Sequence, residues 1–434
     1  MLKITCEGVY YKNGGFVPAK DGPAAGLPAP EKAREGTMAH AILKAHNTGD
    51  NMEELAIRFD AMASHDITYV GIIQTARASG MQAFPLPYVL TNCHNSLCAV
   101  GGTINEDDHV FGLSAAKKYG GEFVPAHQSV IHSYMRERYA APGRMILGSD
   151  SHTRYGAYGT MAIGEGGPEL ARQLLSKTYN IPYPKVIAIY LTGTPIPGVG
   201  PQDVALELIR STFKDGVVKN AVMEFFGPGV ANLSMDYRSG IDVMTTETTC
   251  LSSIWPADHT LKAHLAVLGR GEAFKPQAPA DGAYYDGLIE VELDKIRPMI
   301  ALPFHPSNAY TIQEFQENLD ELLHQVDEDT VRQLKLKNRP ASLREKIVDG
   351  KFRVDQGVIA GCSGGTYQNI VRAAQILDGR AIGSGEFWLS VYPTSQPVNL
   401  ELTRRGYIAS LMAAGASIRS CFCGPCFGAG DVPA

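Results

Sequence analysis

The sequence predicts an α/β fold, and three observations carry that prediction. Short apolar runs such as MILG at 145–148 and VIAIYL at 186–191 have the length of buried strands rather than helices. Between them lies a helical pattern at 168–175, opened by Pro168 in the first turn, where a missing N–H costs nothing. Glycine (45) and proline (26) are both plentiful, as in a chain with many shaped loops rather than a helical bundle. Strands alternating with helices favour a largely parallel sheet.

Taken in order, residues 1–40 are rich in Gly, Pro and Lys without periodicity and read as an irregular arm. The α/β pattern starts near Met38. A first seam is the Gly- and Pro-punctuated run TGTPIPGVG at 192–200, and a second lies at 297–308. After it, Thr311 and Glu314 form a capping box, in which hydroxyl and carboxylate satisfy each other's backbone donors. Phe315, Leu319, Leu322, Leu323 and Val326 then share one face of a single expected helix, and Glu314, Glu317, Asp320 and Glu321 its solvated face. The expected units are 1–196, including the arm, then 197–297 and 298–434.

A net charge of −6 over 434 residues, without basic runs, argues against a nucleic-acid footprint or a polybasic membrane patch. No apolar run approaches the ~20 residues that span a bilayer. The N-terminal MLKITCEGVYYKNGGF lacks a signal-peptide pattern. Eight cysteines are too few for a disulfide scaffold in so long a chain. These points predict a reduced, cytoplasmic protein with no membrane or nucleic-acid partner.

The cysteines carry the chemistry. Cys423-Gly-Pro-Cys426 admits three readings: a redox dithiol, a zinc site, or an iron–sulfur site completed by a distant cysteine. The dithiol lacks most of a domain after it, and zinc lacks a nearby histidine. Cys362, where a strand runs into AGCSGGTY at 360–367, is the distant candidate, because strand ends are where α/β sheets gather ligands.

These residues resemble the aconitase superfamily. GCSGGTYQNIVRAA at 361–374 is similar to its first cluster-cysteine segment, and CGPCFG at 423–428 to the other two. PTSQ at 393–396, GYIASLMAAG at 406–415, GSDSHT at 148–153 with its glycine-rich sequel, PKVIAIYLTG at 184–193 and GPGV at 227–230 follow in the family's order. The resemblance runs from about residue 60 to the end and points to a divergent bacterial branch of uncharacterised aconitase-like hydratases. It implies three α/β domains of aconitase type around a 4Fe-4S cluster held by Cys362, Cys423 and Cys426, with one iron left without a cysteine ligand. Three cysteines suit an open metal position that a fourth would close. Cys421 is a packed neighbour.

The implied activity is that of a hydro-lyase adding or removing water on a small hydroxy-carboxylate. His94, in TNCHNS at 91–96, falls where the family has a histidine beside the leaving hydroxyl. Asp150, Ser151 and His152 match an acid–base and substrate-contact trio, with Asp150, His152 and His94 catalytic and Ser151 substrate-binding. His132 matches the histidine pairing with that aspartate, and Glu247 the glutamate orienting the second histidine. His65 replaces a substrate-binding glutamine and Val243 an asparagine. Cys93 replaces an aspartate before His94; a neutral thiol there predicts a lower His94 pKa. The glycines of 156–167 lack a phosphate-loop spacing.

The family's fourth, swivel domain, which brings a catalytic serine and substrate-clamping arginines, has no counterpart in the sequence. It is expected in the rest of a longer polypeptide or in a separate subunit. Two other readings stand beside hydration: an iron- or redox-responsive RNA-binding regulator, and a catalytically inactive relative, the latter motivated by His65, Cys93 and Val243.

Overall fold

A computed structural model describes residues 2–94, 103–337, 342–383, 385–429 and 431. Cys98 and the end of the 91–96 motif, from Asn95 on, lie outside the described residues.

The first sheet is wholly parallel, in the order Glu122–Val124, Tyr88–Thr91, Ala61–His65, Met145–Gly148, Met161–Gly164. Its central strands are apolar on both faces because helices cover both sides, the usual condition of a parallel sheet. Met145–Gly148 is fully buried, as its run of hydrophobic residues requires.

The second sheet runs Leu2–Thr5, Gly287–Glu292, Val186–Thr192, Val222–Phe226, Ser252–Ile254. All its pairings are parallel except that of Leu2–Thr5, which pairs antiparallel with Leu2 opposite Val291. The first forty residues are not an irregular arm, since Leu2–Thr5 extends this sheet and Val9–Lys12 pairs with Gly15–Pro18 as a hairpin. Val186–Thr192 is hydrogen-bonded on both sides by strands from beyond residue 196. One apolar core spans both sheets, joining Ala63, Val89 and Ile146 of the first to Ile189, Phe225 and Ile289 of the second.

The capping box at Thr311 and Glu314 forms, with Glu314 N–H donating to Thr311 Oγ1 at 3.0 Å and Thr311 N–H to Glu314 Oε2 at 2.7 Å. The expected single helix is instead two, Ile312–Glu317 and Leu319–Leu334. The break falls at Asn318, whose side-chain amide donates to the Glu314 carbonyl at 2.8 Å and competes with the helical ladder. The five apolar residues still converge in one small cluster.

The last sheet is parallel and three-stranded: Gln356–Ile359, Trp388–Val391, Ser417–Ile418. It has its own core around Ile370, Val391, Leu402 and Leu411. Turns at the C-terminal ends of the first and last sheets meet: Ser129 bridges to Ser395 and His127 to Cys421. Loops beyond strand C-termini are where α/β proteins assemble sites. No helix among the described residues is long and apolar enough to cross a membrane.

Candidate functional site

Asp150 occupies the turn after Met145–Gly148. The turn is closed by His152 N–H donating to Asp150 Oδ1 and Thr153 Oγ1 donating to the Asp150 carbonyl, both at 2.7 Å. On the next strand a Cβ at Gly164 would strike that carbonyl, which explains one of the glycines that follow the motif without any phosphate loop. Four imidazoles surround the carboxylate. His94 Nε2 lies 2.9 Å from Oδ2, His132 Nε2 3.2 Å from Oδ1, His152 Nδ1 3.6 Å from Oδ1 and His65 Nε2 3.7 Å from Oδ2. The strands fix these positions: His65 ends Ala61–His65, and His94 lies three residues past Tyr88–Thr91. His132 comes from the first turn of the helix Ile131–Arg138.

The charges divide unequally. Burial opposes ionisation of Asp150, yet His132, His152 and His94 hold its carboxyl well below the usual range. Burial, reinforced by neighbouring His94, pushes His65 down to about 3. Burial also takes His132 down to about 4 against the pull of Asp150. Against burial, Asp150 and Glu247 raise His152 to about 9. His94 is shifted in the opposite direction to the lowered pKa expected of it. Burial does pull it down, but the adjoining Cys93 sulfur, 3.3 Å from Nδ1, and the Asp150 carboxylate raise it to about 10. Cys93 itself, together with Asp150 from another strand, thus takes the part of the aspartate missing at position 93.

Glu247, in the turn Thr245–Thr248, places Oε1 2.9 Å from His152 Nε2, and that hydrogen bond lowers its pKa. Ser151 is exposed at the rim, with Oγ 3.3 Å from His152 Nδ1. Val243 belongs to the apolar core. Sequence reasoning missed three contributors. Asp66 accepts from the His94 N–H at 2.9 Å and lies 3.0 Å from His109 Nε2; only its place beside His65 hinted at this. Tyr155 sets its hydroxyl 3.2 Å from His132 Nδ1. His305 stacks on Phe213 and lies 3.8 Å from Glu247 Oε2, with no sequence signal at all.

The sulfur half lies alongside. Cys362 sits in the short turn Gly361–Gly364 just past Gln356–Ile359, and Cys423 and Cys426 bracket Gly424–Phe427. Cys362 and Cys423 are buried, whereas Cys426 is exposed. Burial pushes the Cys362 thiol up to about 12. A hydrogen bond with Cys426 and burial raise Cys423. That same bond, aided by His152 and His94, brings Cys426 down to about 7 against the effect of burial. The two halves touch: Cys423 N–H donates to the Cys93 carbonyl at 2.8 Å, and the Phe427 ring lies parallel to His94 at 6.1 Å.

The arrangement fits a thiolate-ligated iron–sulfur group. Three soft donors converge, and Gly361, at φ +76°, faces Cys426 so closely that a Cβ would come within 2.6 Å of its sulfur. Cys421 is buried beside them, its backbone bridged to His127, whose Nδ1 lies 2.7 Å from Ser420 Oγ. Across the site, His65, His94 and Asp150 present ligand atoms within 4.8 Å of one another, a set able to hold a single metal ion.

Residues 40–434 match the Aconitase family (aconitate hydratase). The mitochondrial aconitate hydratase of Schizosaccharomyces pombe is 30% identical over 395 residues, covering 86% of this chain and 46% of that protein. That of Gracilaria gracilis is 30% identical over 344 residues, covering 76% and 40%. That of Saccharomyces cerevisiae is 27% identical over 427 residues, covering 92% and 51%. The chain spans about half the length of such relatives. Among solved structures, the crystal structure of Thermococcus kodakaraensis aconitase X (holo-form) aligns at a TM-score of 0.45 and 13% identity, covering 94% of this chain and 87% of the other. Through its matched length and its ordered motifs, the chain belongs to the aconitase family.

Proposed function

We propose that the protein is a hydro-lyase that adds or removes water on a small hydroxy-carboxylate, with a 4Fe-4S cluster held by Cys362, Cys423 and Cys426. The observation that supports this reading is that the turns carrying those cysteines pack directly against the turn carrying His94, beside Asp150 and its four histidines. When bound, a cluster with one iron free of cysteine would supply Lewis acidity toward the substrate's hydroxyl and carboxylate oxygens.

The chain's own residues then handle protons and orientation. A departing hydroxide needs a proton, and His94 and His152 are the two rings whose raised pKa keeps them charged at neutral pH. Asp150 shares the His94 proton at Nε2, and Glu247 that of His152 at Nε2, so both rings are fixed in angle. His132, neutral and buried, anchors Asp150 from behind with Tyr155 on its far nitrogen. His65 stacks on His94 at 4.0 Å and restricts that ring's rotation. Ser151, exposed at the rim, is available to substrate. Abstraction of the proton beside the carboxylate and clamping of that carboxylate are assigned to a swivel domain in the rest of the polypeptide or in a separate subunit.

The test is anaerobic reconstitution of the complete protein, followed by iron and acid-labile sulfide analysis and a screen of hydroxy-acids for appearance of a conjugated double bond. Sulfide and iron in similar amounts, lost in Cys423→Ser, support the reading. Iron without sulfide, retained in Cys423→Ser, contradicts it and moves the metal to His65, His94 and Asp150. Cluster formation without turnover of any acid supports the inactive alternative.

A further inference from the structure

Arg136 is a buried cation, only 4% exposed, and its hydrogen bonds among the described residues go to neutral carbonyls. Nη1 donates to the Cys362 carbonyl at 3.1 Å, Nη2 reaches the carbonyls of Arg154 and Ser239 at 3.4 Å each, and Nε is buried without a partner. No carboxylate among the described residues forms an ion pair with it. The nearby buried Asp242 commits its Oδ1 to Ser253 and Trp255 at 2.7 and 3.0 Å, and its Oδ2, buried without a hydrogen-bond partner, acts on Arg136 only through space. A buried guanidinium with no ion pair of its own is costly, and a negative group beside it would offset that cost.

The placement is specific. Arg136 lies four residues after His132 on the helix Ile131–Arg138, so the two side chains share a face. His132 holds Asp150, and Arg136 holds the backbone of the Cys362 turn. That turn is braced again by Gln202 Nε2 donating to Ser363 Oγ at 2.9 Å. One helix therefore ties the acid–base half to the sulfur half.

We propose that Arg136 is a positioning residue of the cysteine site: a fixed positive charge behind Cys362 that anchors its turn through the carbonyl and offsets the negative charge of the iron–sulfur group. This rests on the cluster reading above. A nearby positive charge favours the reduced, more negative cluster, and hydrogen bonding around the ligands tunes the same equilibrium.

The experiment compares wild type, Arg136→Gln and Arg136→Lys in the complete protein after anaerobic reconstitution. Arg136→Gln is expected to keep its circular dichroism spectrum, shift the cluster midpoint potential to a more negative value, and lose iron to a chelator about tenfold faster. Arg136→Lys retains the charge without the fork, so its potential stays nearer wild type while iron loss still accelerates. A folded Arg136→Gln with wild-type potential and wild-type iron loss overturns the proposal. If Arg136→Gln does not fold, wild-type iron loss in Arg136→Lys overturns it instead. A wild-type protein that takes up no iron and sulfide fails before any substitution and sinks the cluster reading itself.

Discussion

Around Asp150, four imidazoles, Glu247 and Asp66 contact one another at 2.9–3.7 Å, so neighbouring side chains fix ring angles and charges there. Alongside, Cys362 and Cys423 are buried thiols with raised pKa values, Cys362 to about 12 through burial and Cys423 through its hydrogen bond with Cys426 and burial. The first region is tied together by its own side chains. The second becomes chemically useful only when something displaces its protons, which is how metal binding couples to thiol ionisation. The contrast separates a preorganised proton-handling half from a receptor half, and perturbing each should have different signatures.

The largest expected effect is on the receptor half. Cys423→Ser should abolish iron retention and turnover together, while the midpoint of thermal unfolding of the metal-free protein stays near wild type. Iron analysis beside a melting curve checks both, and a large loss of metal-free stability would show that the sulfur half is structural. Asp150→Asn reverses the pattern: kcat is expected to fall by about 10²–10⁴ with iron content unchanged. Simultaneous loss of iron would mean that the two halves are one unit.

The third prediction concerns pH. His94 and His152 have folded pKa values of about 10 and about 9, above the ~6.5 of an unfolded histidine, so the stability they contribute is present below pH ~6.5 and is lost as pH rises through 9–10. His65 and His132, at about 3 and about 4, are neutral when folded; unfolding takes up protons below pH ~6.5, so stability falls as pH drops toward 4 and 3. Asp150, held low, adds to the acid loss. The metal-free protein should therefore be most stable near pH ~6.5, and His94→Gln should flatten the alkaline limb and, because His94 also lowers His65 and Asp150, lessen the acid loss as well. A melting temperature rising steadily to pH 10 would contradict this charge assignment. The smallest effect is expected for Tyr155→Phe, which removes the hydroxyl facing His132 Nδ1 and should cost about 1 kcal/mol in a denaturant titration, with iron content unchanged.

Much of this was legible because it is local. The strand at 145–148, the capping box at Thr311 and the cysteine turn at 362 follow from neighbouring residues alone. The site residues could be aligned because the chemistry restricts residue type at each motif. What escaped was non-local. Leu2–Thr5 is a four-residue strand whose identity depends on pairing with Gly287–Glu292 at the far side of the chain. Asn318 breaks a helix through one side-chain bond that a face pattern does not register. The charge of His94 was misjudged because its neighbour Cys93 raises the pKa rather than leaving it low, and because a carboxylate, Asp150, arrives from another strand. His305 and Arg136 likewise acquire meaning only once distant turns are brought together.

We propose that Cys362, Cys423 and Cys426 hold an iron–sulfur group beside the acid–base cluster around Asp150. The Mössbauer spectrum of the complete, reconstituted protein, recorded with and without an added hydroxy-carboxylate, tests it most directly. The account predicts a four-iron cluster in which one iron alone changes its spectrum when the acid is added. A cluster whose irons are all unaffected by the acid, or iron bound without sulfide, would contradict it.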